Sequence, residues 1–305
     1  TEVSSLYISG TVWADTDSNG LMSAEEERIP DVVVTLYTPY NSKNPNPVDR
    51  TVNGVKLSRA YNGSNDLFAP YATQEDGAFS FDDVPAGTYY LVADYIPDRY
   101  SLTTKQAGKG DSSLEAYDSE ADESFVDTSA DLAHTAWIKE IVVESAGVPN
   151  QNIGLREIRG NVTVGKVLDE IYYPSNMGDE DKEDYRVSFI FVLKNRDTGA
   201  MYREAVYLDG TTIHAYQGKP QVTVTFKDIP LGTYELSEVS EAQYALKNIT
   251  STSNSVTFDK AAGVATIPVT ATEHEFELLV ENALDRTPPG GDENGVKNHI
   301  GMHIP

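Results

Sequence analysis

The densest chemistry in the chain lies near its start. Asp15-Thr16-Asp17-Ser18-Asn19-Gly20 is followed, after five residues, by Glu26. Hard oxygen donors on alternate residues, a glycine in the sixth place and a glutamate in the twelfth form a divalent-cation loop pattern. Asp15, Asp17 and Asn19 would ligate through their side chains, Leu21 through its carbonyl, Ser23 through a water, and Glu26 through both carboxylate oxygens. Three carboxylates supply the charge that Ca2+ requires. An Asp- and Asn-rich turn without an ion is the simpler alternative in so acidic a chain. Strand-like runs flank the loop on both sides, which excludes a helix-opening sensor and points to a structural ion.

A second feature is written twice. Phe81-Asp82-Asp83-Val84-Pro85-Ala86-Gly87-Thr88-Tyr89 returns as Phe226-Lys227-Asp228-Ile229-Pro230-Leu231-Gly232-Thr233-Tyr234. Both copies read as a strand, a tight turn and a strand: proline presets the turn, glycine supplies the unusual backbone angle, and a hairpin results. Recurrence of one supersecondary unit at long separation implies two related β domains in tandem. One aligned position differs in chemistry, with Ala93 in the first copy and Glu238 in the second.

Two sandwich-sized domains fit a length of 305 residues, and each is long enough to bury a core. Short Val/Ile/Thr runs separated by Gly, Pro, Asn and Asp, with 18 Tyr, favour an all-β fold with almost no helix. A net charge of −25 argues against nucleic acid and anionic membranes as partners. With no Cys there is no disulfide, so a metal or another covalent bond is the remaining kind of staple. No apolar run is long enough to span a bilayer, and none reads as a signal peptide.

Residues 1–157 form the first expected domain, with strands at Leu6–Trp13, Val32–Tyr37, Ala136–Val143 and Gln151–Leu155. A polar insertion at about 38–71 reads as a long loop or small hairpin, and 111–131 is an acidic stretch. The second domain spans 158–286, with strands from Ile158 to Val167, Val187 to Lys194, Met201 to Leu208, Val222 to Phe226, Tyr234 to Glu238, Val256 to Phe258, Val264 to Val269 and Phe276 to Asn282. Residues 287–305 read as a linker-like tail.

Strand, acidic loop, strand and the Pro-Gly-Thr-Tyr unit together resemble an SdrD B-like domain of staphylococcal surface proteins. The resemblance is carried by Ile8–Asp15, Ile29–Tyr37, Asp76–Phe81 and Asn152–Leu155. It implies calcium in the first domain, with a late Asp-Ser-Asp beside the ion. Here that motif is Asp118-Ser119-Glu120, which makes Asp118 and Glu120 weaker candidate ligands. The second domain resembles a Cna-B domain of Gram-positive surface proteins and pilins, through Val162–Val167, Leu231–Glu238 and Leu279–Asn282.

That resemblance implies an Ig-like or transthyretin-like β-sandwich in which Lys166 and Asn282 form an isopeptide bond promoted by Glu238. A strand lysine is ordinarily solvent-facing, a strand glutamate ordinarily a surface charge, and an asparagine at a strand end ordinarily a turn cap. Yet Lys166 is in phase with Val162 and Val164, and Glu238 with Tyr234 and Leu236, so both charges point toward apolar neighbours. The first domain has Ala93 for the acid and no Lys between Leu6 and Trp13. Calcium is therefore the expected staple of the first domain and an amide that of the second.

No phosphate loop, nucleophile elbow or clustered histidine supports turnover on an external substrate, the five His being scattered. The expected role is a monomeric structural or adhesive stalk segment on the extracellular face of a Gram-positive cell wall. Its ligand would be a host or matrix molecule, and attachment to the wall would come through a parent protein. The alternative is a binding module whose insertion uses Tyr40, Tyr61, Phe68 and Tyr71 to stack on a glycan or host protein, with packing of those rings on their own domain as the simpler reading. A third reading is the accessory module of a secreted hydrolase.

Overall fold

The computed structural model describes residues 6–44, 49–123, 135–239 and 243–286. The expected tail lies outside them. Two compact units divide the chain between Arg159 and Gly160. Among the described residues the regular elements are strands, apart from two single-turn 3-10 segments at Glu115–Tyr117 and Asp179–Asp181. The fold is all-β.

The first unit contains β1 (Tyr7–Ala14), β2 (Val33–Pro39), β3 (Arg50–Val52), β4 (Val55–Arg59), β5 (Tyr71–Ala72), β6 (Ala78–Asp82), β7 (Gly87–Asp94), β8 (Tyr100–Leu102), β9 (Asp122–Glu123), β10 (Ala136–Val143) and β11 (Ile153–Glu157). A four-stranded sheet runs β6-β1-β11-β8, and a seven-stranded sheet runs β3-β4-β2-β7-β10-β9 with β5 against β2. The terminal strands β1 and β11 pair in parallel, Val12 opposite Ile153. Strand alternation gives β7 two buried faces. Tyr89, Leu91 and Ala93 enter the main core. Tyr90 and Val92 join Tyr37, Val52, Leu57 and Trp137 in a second cluster on the other side of the sheet.

Parts of the insertion are fixed to the rest of their unit. Its β3–β4 hairpin is tied to β7 by a two-pronged ion pair, Arg50 to Asp94, with both contacts at 2.7 Å. Phe68 and Tyr71 meet the Phe81 ring edge-on at 5.6 and 6.2 Å, while Tyr40 is exposed. Two of the four insertion rings thus pack on their own domain.

The second unit contains β12 (Arg159–Leu168), β13 (Val187–Asn195), β14 (Met201–Leu208), β15 (Val222–Pro230), β16 (Gly232–Glu238), β17 (Tyr244–Ser251), β18 (Thr257–Asp259), β19 (Val264–Val269) and β20 (Glu275–Leu284). Sheets β15-β12-β20-β17 and β14-β13-β16-β19-β18 face each other across a core that includes Phe189, Phe191, Tyr234 and Leu236. β17 is a strand that the expected set does not contain. A register shift between Leu246 and Asn248 interrupts its alternation, which hides the period-two signal.

The repeated unit is a corner, not the expected hairpin. β6 and β15 lie in one sheet of their units, β7 and β16 in the other. Asp83, between β6 and β7, and Asp228, near the end of β15, are at φ 57° and 53°, while among the two repeat glycines only Gly232 has a positive φ. Each corner is closed by a tyrosine: Tyr89 donates to the Pro85 carbonyl at 2.7 Å and Tyr234 to the Pro230 carbonyl at 2.6 Å. The motif specifies the buried phenol and its acceptor four residues earlier, and this bond holds the two layers at the bend.

Candidate functional site

In β12 the alternating residues Val162, Val164, Lys166 and Leu168 are all buried. The period that aims the valines inward aims Lys166 inward as well, and its side chain is fully buried. β20 pairs with β12 in parallel, with Lys166 opposite Val280 and Leu168 opposite Asn282. Residues two apart share a face, so Asn282 stands one step along from Lys166 on the same inner surface. Glu238 ends β16 in the facing sheet and reaches the pair from across the core, its side chain 4% exposed.

The three side chains close a ring of contacts. Lys166 Nζ lies 2.7 Å from Glu238 Oε2 and in hydrogen-bond contact with Asn282 Oδ1. Asn282 Nδ2 donates to Glu238 Oε1 at 2.5 Å. The Phe189 ring centroid is 4.3 Å from Nζ, and Phe189 meets Tyr244 edge-on at 5.3 Å. Burial pushes the Lys166 ammonium down to about 8, against the opposing pull of Glu238. A weakly held proton, an amine beside a carboxamide and a carboxyl group touching both are the requirements for amide exchange.

In the first unit Asp15 follows β1 directly, and its N–H donates to the Leu155 carbonyl at the parallel terminal strand. Asp15 accepts from the Gly20 N–H at 2.9 Å and the Asn19 N–H at 3.1 Å, which coils the loop around its carboxylate. Gly20 is at φ 77°. Glu26 turns back to accept from the Thr16 and Ser23 N–H groups, both at 2.9 Å. Ligand oxygens of Asp15, Asp17 and Glu26 converge within 4.8 Å of one another, with Asp15 and Glu26 buried. Three carboxylates so close repel unless a cation lies between them, and hard oxygens are the donor set Ca2+ prefers.

Asn19 is spoken for in part: its Oδ1 accepts from the Leu21 N–H at 2.6 Å and its Nδ2 donates to Asp17 at 2.8 Å. Leu21 forms an isolated bridge with Asp118. Asp118 is buried, its Oδ2 accepts from the Gly108 N–H at 3.0 Å, and its Oδ1 has no hydrogen-bond partner. Burial raises its carboxyl above the ordinary range. Asp118 thus borders the loop without joining the three-acid group. Glu120 is turned to Gln106, accepting from its Nε2 at 2.9 Å. Thr103, which no sequence signal singled out, donates its hydroxyl to Asp15.

No family model matches the chain. A stretch of 92 residues is 29% identical to Colossin-B of Dictyostelium discoideum, covering 30% of this chain and 2% of that protein. Among solved structures, the TIE protein of Bacillus anthracis matches with a TM-score of 0.42 at 11% identity, over 92% of this chain and 34% of its own. A major pilin (T-13) of Streptococcus pyogenes matches at 0.30 and 11%, over 92% of this chain and 97% of its own. Another major pilin from Streptococcus pyogenes scores 0.33 at 14%, over 93% and 99% of the two chains. At these scores the all-β assignment stands on the strands and registers described above.

Proposed function

We infer that the chain is a structural or adhesive segment of an extracellular protein of the Gram-positive cell surface, and that each unit carries its own non-disulfide staple. The SdrD B-like and Cna-B resemblances point to that setting. The observation that carries the reading is the buried Lys166–Glu238–Asn282 ring at the first and last strands of the second unit.

The chemistry of the ring is a single self-modification. Neutral Lys166 Nζ attacks Asn282 Cγ, a C–N bond forms, and the Cγ–Nδ2 bond breaks. Glu238, in contact with both groups, relays the amine proton to the departing nitrogen, which leaves as ammonia. Folding supplies the proximity, and the apolar walls keep water out. The product ties β12 to β20 covalently. The first unit would instead hold Ca2+ through Asp15, Asp17, Asn19, Leu21 and Glu26, with Ser23 and Asp118 at its margin; the ion would neutralise converging carboxylates beside the β1–β11 pair.

Intact mass tests the cross-link. The purified chain should weigh about 17 Da less than its sequence, the mass of one ammonia, and Glu238→Ala should restore the full value. An unmodified chain of full sequence mass would end the reading.

A further inference from the structure

The Lys166 amine has three close neighbours, and the exchange described above uses only two of them. Glu238 Oε2 and Asn282 Oδ1 contact Nζ. The third neighbour is the face of the Phe189 ring, its centroid 4.3 Å away. Alternation along β13 buries Val187, Phe189, Phe191 and Leu193 on one side, and Phe191 stands opposite Glu238 in β16. The carboxyl group and the ring therefore reach Nζ from one sheet, while Lys166 and Asn282 belong to the sheet that faces it.

The ring is held in place. Phe189 is fully buried and meets Tyr244 edge-on, with 68° between the ring planes. The Tyr244 phenol accepts from the Tyr172 N–H at 2.9 Å, which ties that second ring to the segment after β12. Around Nζ, β16 contributes the charge of Glu238 and β20 the neutral carboxamide of Asn282. β13 contributes the Phe189 ring, and β17 contributes Tyr244, packed on that ring.

The face of an aromatic ring is negative at its centre, so it attracts an N–H or an ammonium and repels a lone pair. As an ammonium, Nζ has one proton for each of its three neighbours. The neutral amine has two N–H bonds and a lone pair. With one N–H on the ring and the other on the Glu238 carboxylate, the lone pair is left to Asn282. A lone pair aimed into the ring could form no bond, and that orientation is the one the ring disfavours. We propose that Phe189 orients the nucleophile: its π face takes one Nζ–H and so turns the Lys166 lone pair onto Asn282 Cγ. This role rests on the amide exchange proposed above and leaves its balance unchanged. Nζ–Cγ forms, Cγ–Nδ2 breaks, and one amine proton leaves with the nitrogen as ammonia.

Ring-fluorinated phenylalanines at position 189 of the full chain test this, because fluorine drains the π face while nearly keeping the shape of the ring. Mass spectrometry on freshly synthesised chain follows the loss of ammonia over time at a series of pH values. Each added fluorine should weaken the hold on the ammonium. The midpoint of the pH–rate profile should fall, by about one pH unit at full fluorination, and the plateau rate should fall severalfold. Phe189→Leu should act in the same direction. A ring that only fills space predicts the opposite sign, since loosened packing admits water, which stabilises the ammonium and moves the midpoint up. Phe276→Leu, an equal truncation six residues before Asn282 in β20, should leave the midpoint in place. If the wild-type chain loses no ammonia, the exchange fails and this role fails with it. If the chain closes but fluorination leaves either the midpoint or the plateau rate unmoved, or raises the midpoint, the exchange stands and Phe189 is core packing alone.

Discussion

Lys166 is placed by the same rule that places its apolar neighbours. In β12 the inward positions run Val162, Val164, Lys166, Leu168, so the strand cannot expose the amine without exposing the valines too. Enclosure disfavours the ammonium more than Glu238 restores it, and the proton is lost at about 8. Only the neutral amine is a nucleophile. Closure should therefore speed up as pH rises, gaining about tenfold per pH unit while the ammonium predominates, and level off above the lysine's pKa. Time-resolved mass spectrometry on freshly synthesised chain at a series of pH values would show this. A rate that ignores pH on both sides of about 8 would mean that deprotonation of Lys166 does not limit the reaction.

At the scale of the element, the repeated corner is the joint of each sandwich. Tyr89 and Tyr234 are buried, 4% and 0% exposed, and each phenol donates to a proline carbonyl where the chain crosses between sheets. Removing the hydroxyl leaves that acceptor without its donor. Tyr89→Phe and Tyr234→Phe should each destabilise their own unit by about 1–2 kcal/mol, read from urea unfolding midpoints at unchanged slope. Tyr234→Phe should keep the deficit of about 17 Da relative to the variant's own sequence mass, because Tyr234 takes no part in the amide chemistry. Equal stability in wild type and both variants would reduce the corner to a packing coincidence.

The molecule is a pair of units that gather different polar clusters beside the same kind of strand pairing. In both, the first and last strands pair in parallel, β1 with β11 and β12 with β20. Beside that pairing the first unit gathers Asp15, Asp17 and Glu26, whereas the second gathers Lys166, Glu238 and Asn282. Chelation of Ca2+ should lower the melting temperature of the first unit and leave the second almost unmoved. With the ion at a thousandfold excess over its Kd, the stabilisation lost is roughly 4 kcal/mol. Differential scanning calorimetry in EGTA and in calcium would resolve the two transitions, and a first transition insensitive to the chelator would remove the ion from the reading.

Much of this was written in the chain itself. Strand alternation, the twice-used Phe-to-Tyr motif and the spacing from Asp15 to Glu26 are local patterns, and a local pattern survives in a bare sequence. Period two alone aims Lys166 and Glu238 inward. Other features needed long-range placement. The corner looks like a hairpin because its turn residues are the same, and only sheet assignment separates β6 from β7 and β15 from β16. Thr103 reaches Asp15 from 88 residues away, and Glu120, the last member of its motif, turns to Gln106. Sequence determines which face a side chain takes, since that is set by its own backbone; which distant side chain it faces is set by how whole sheets stack and roll, and that the tertiary structure alone decided.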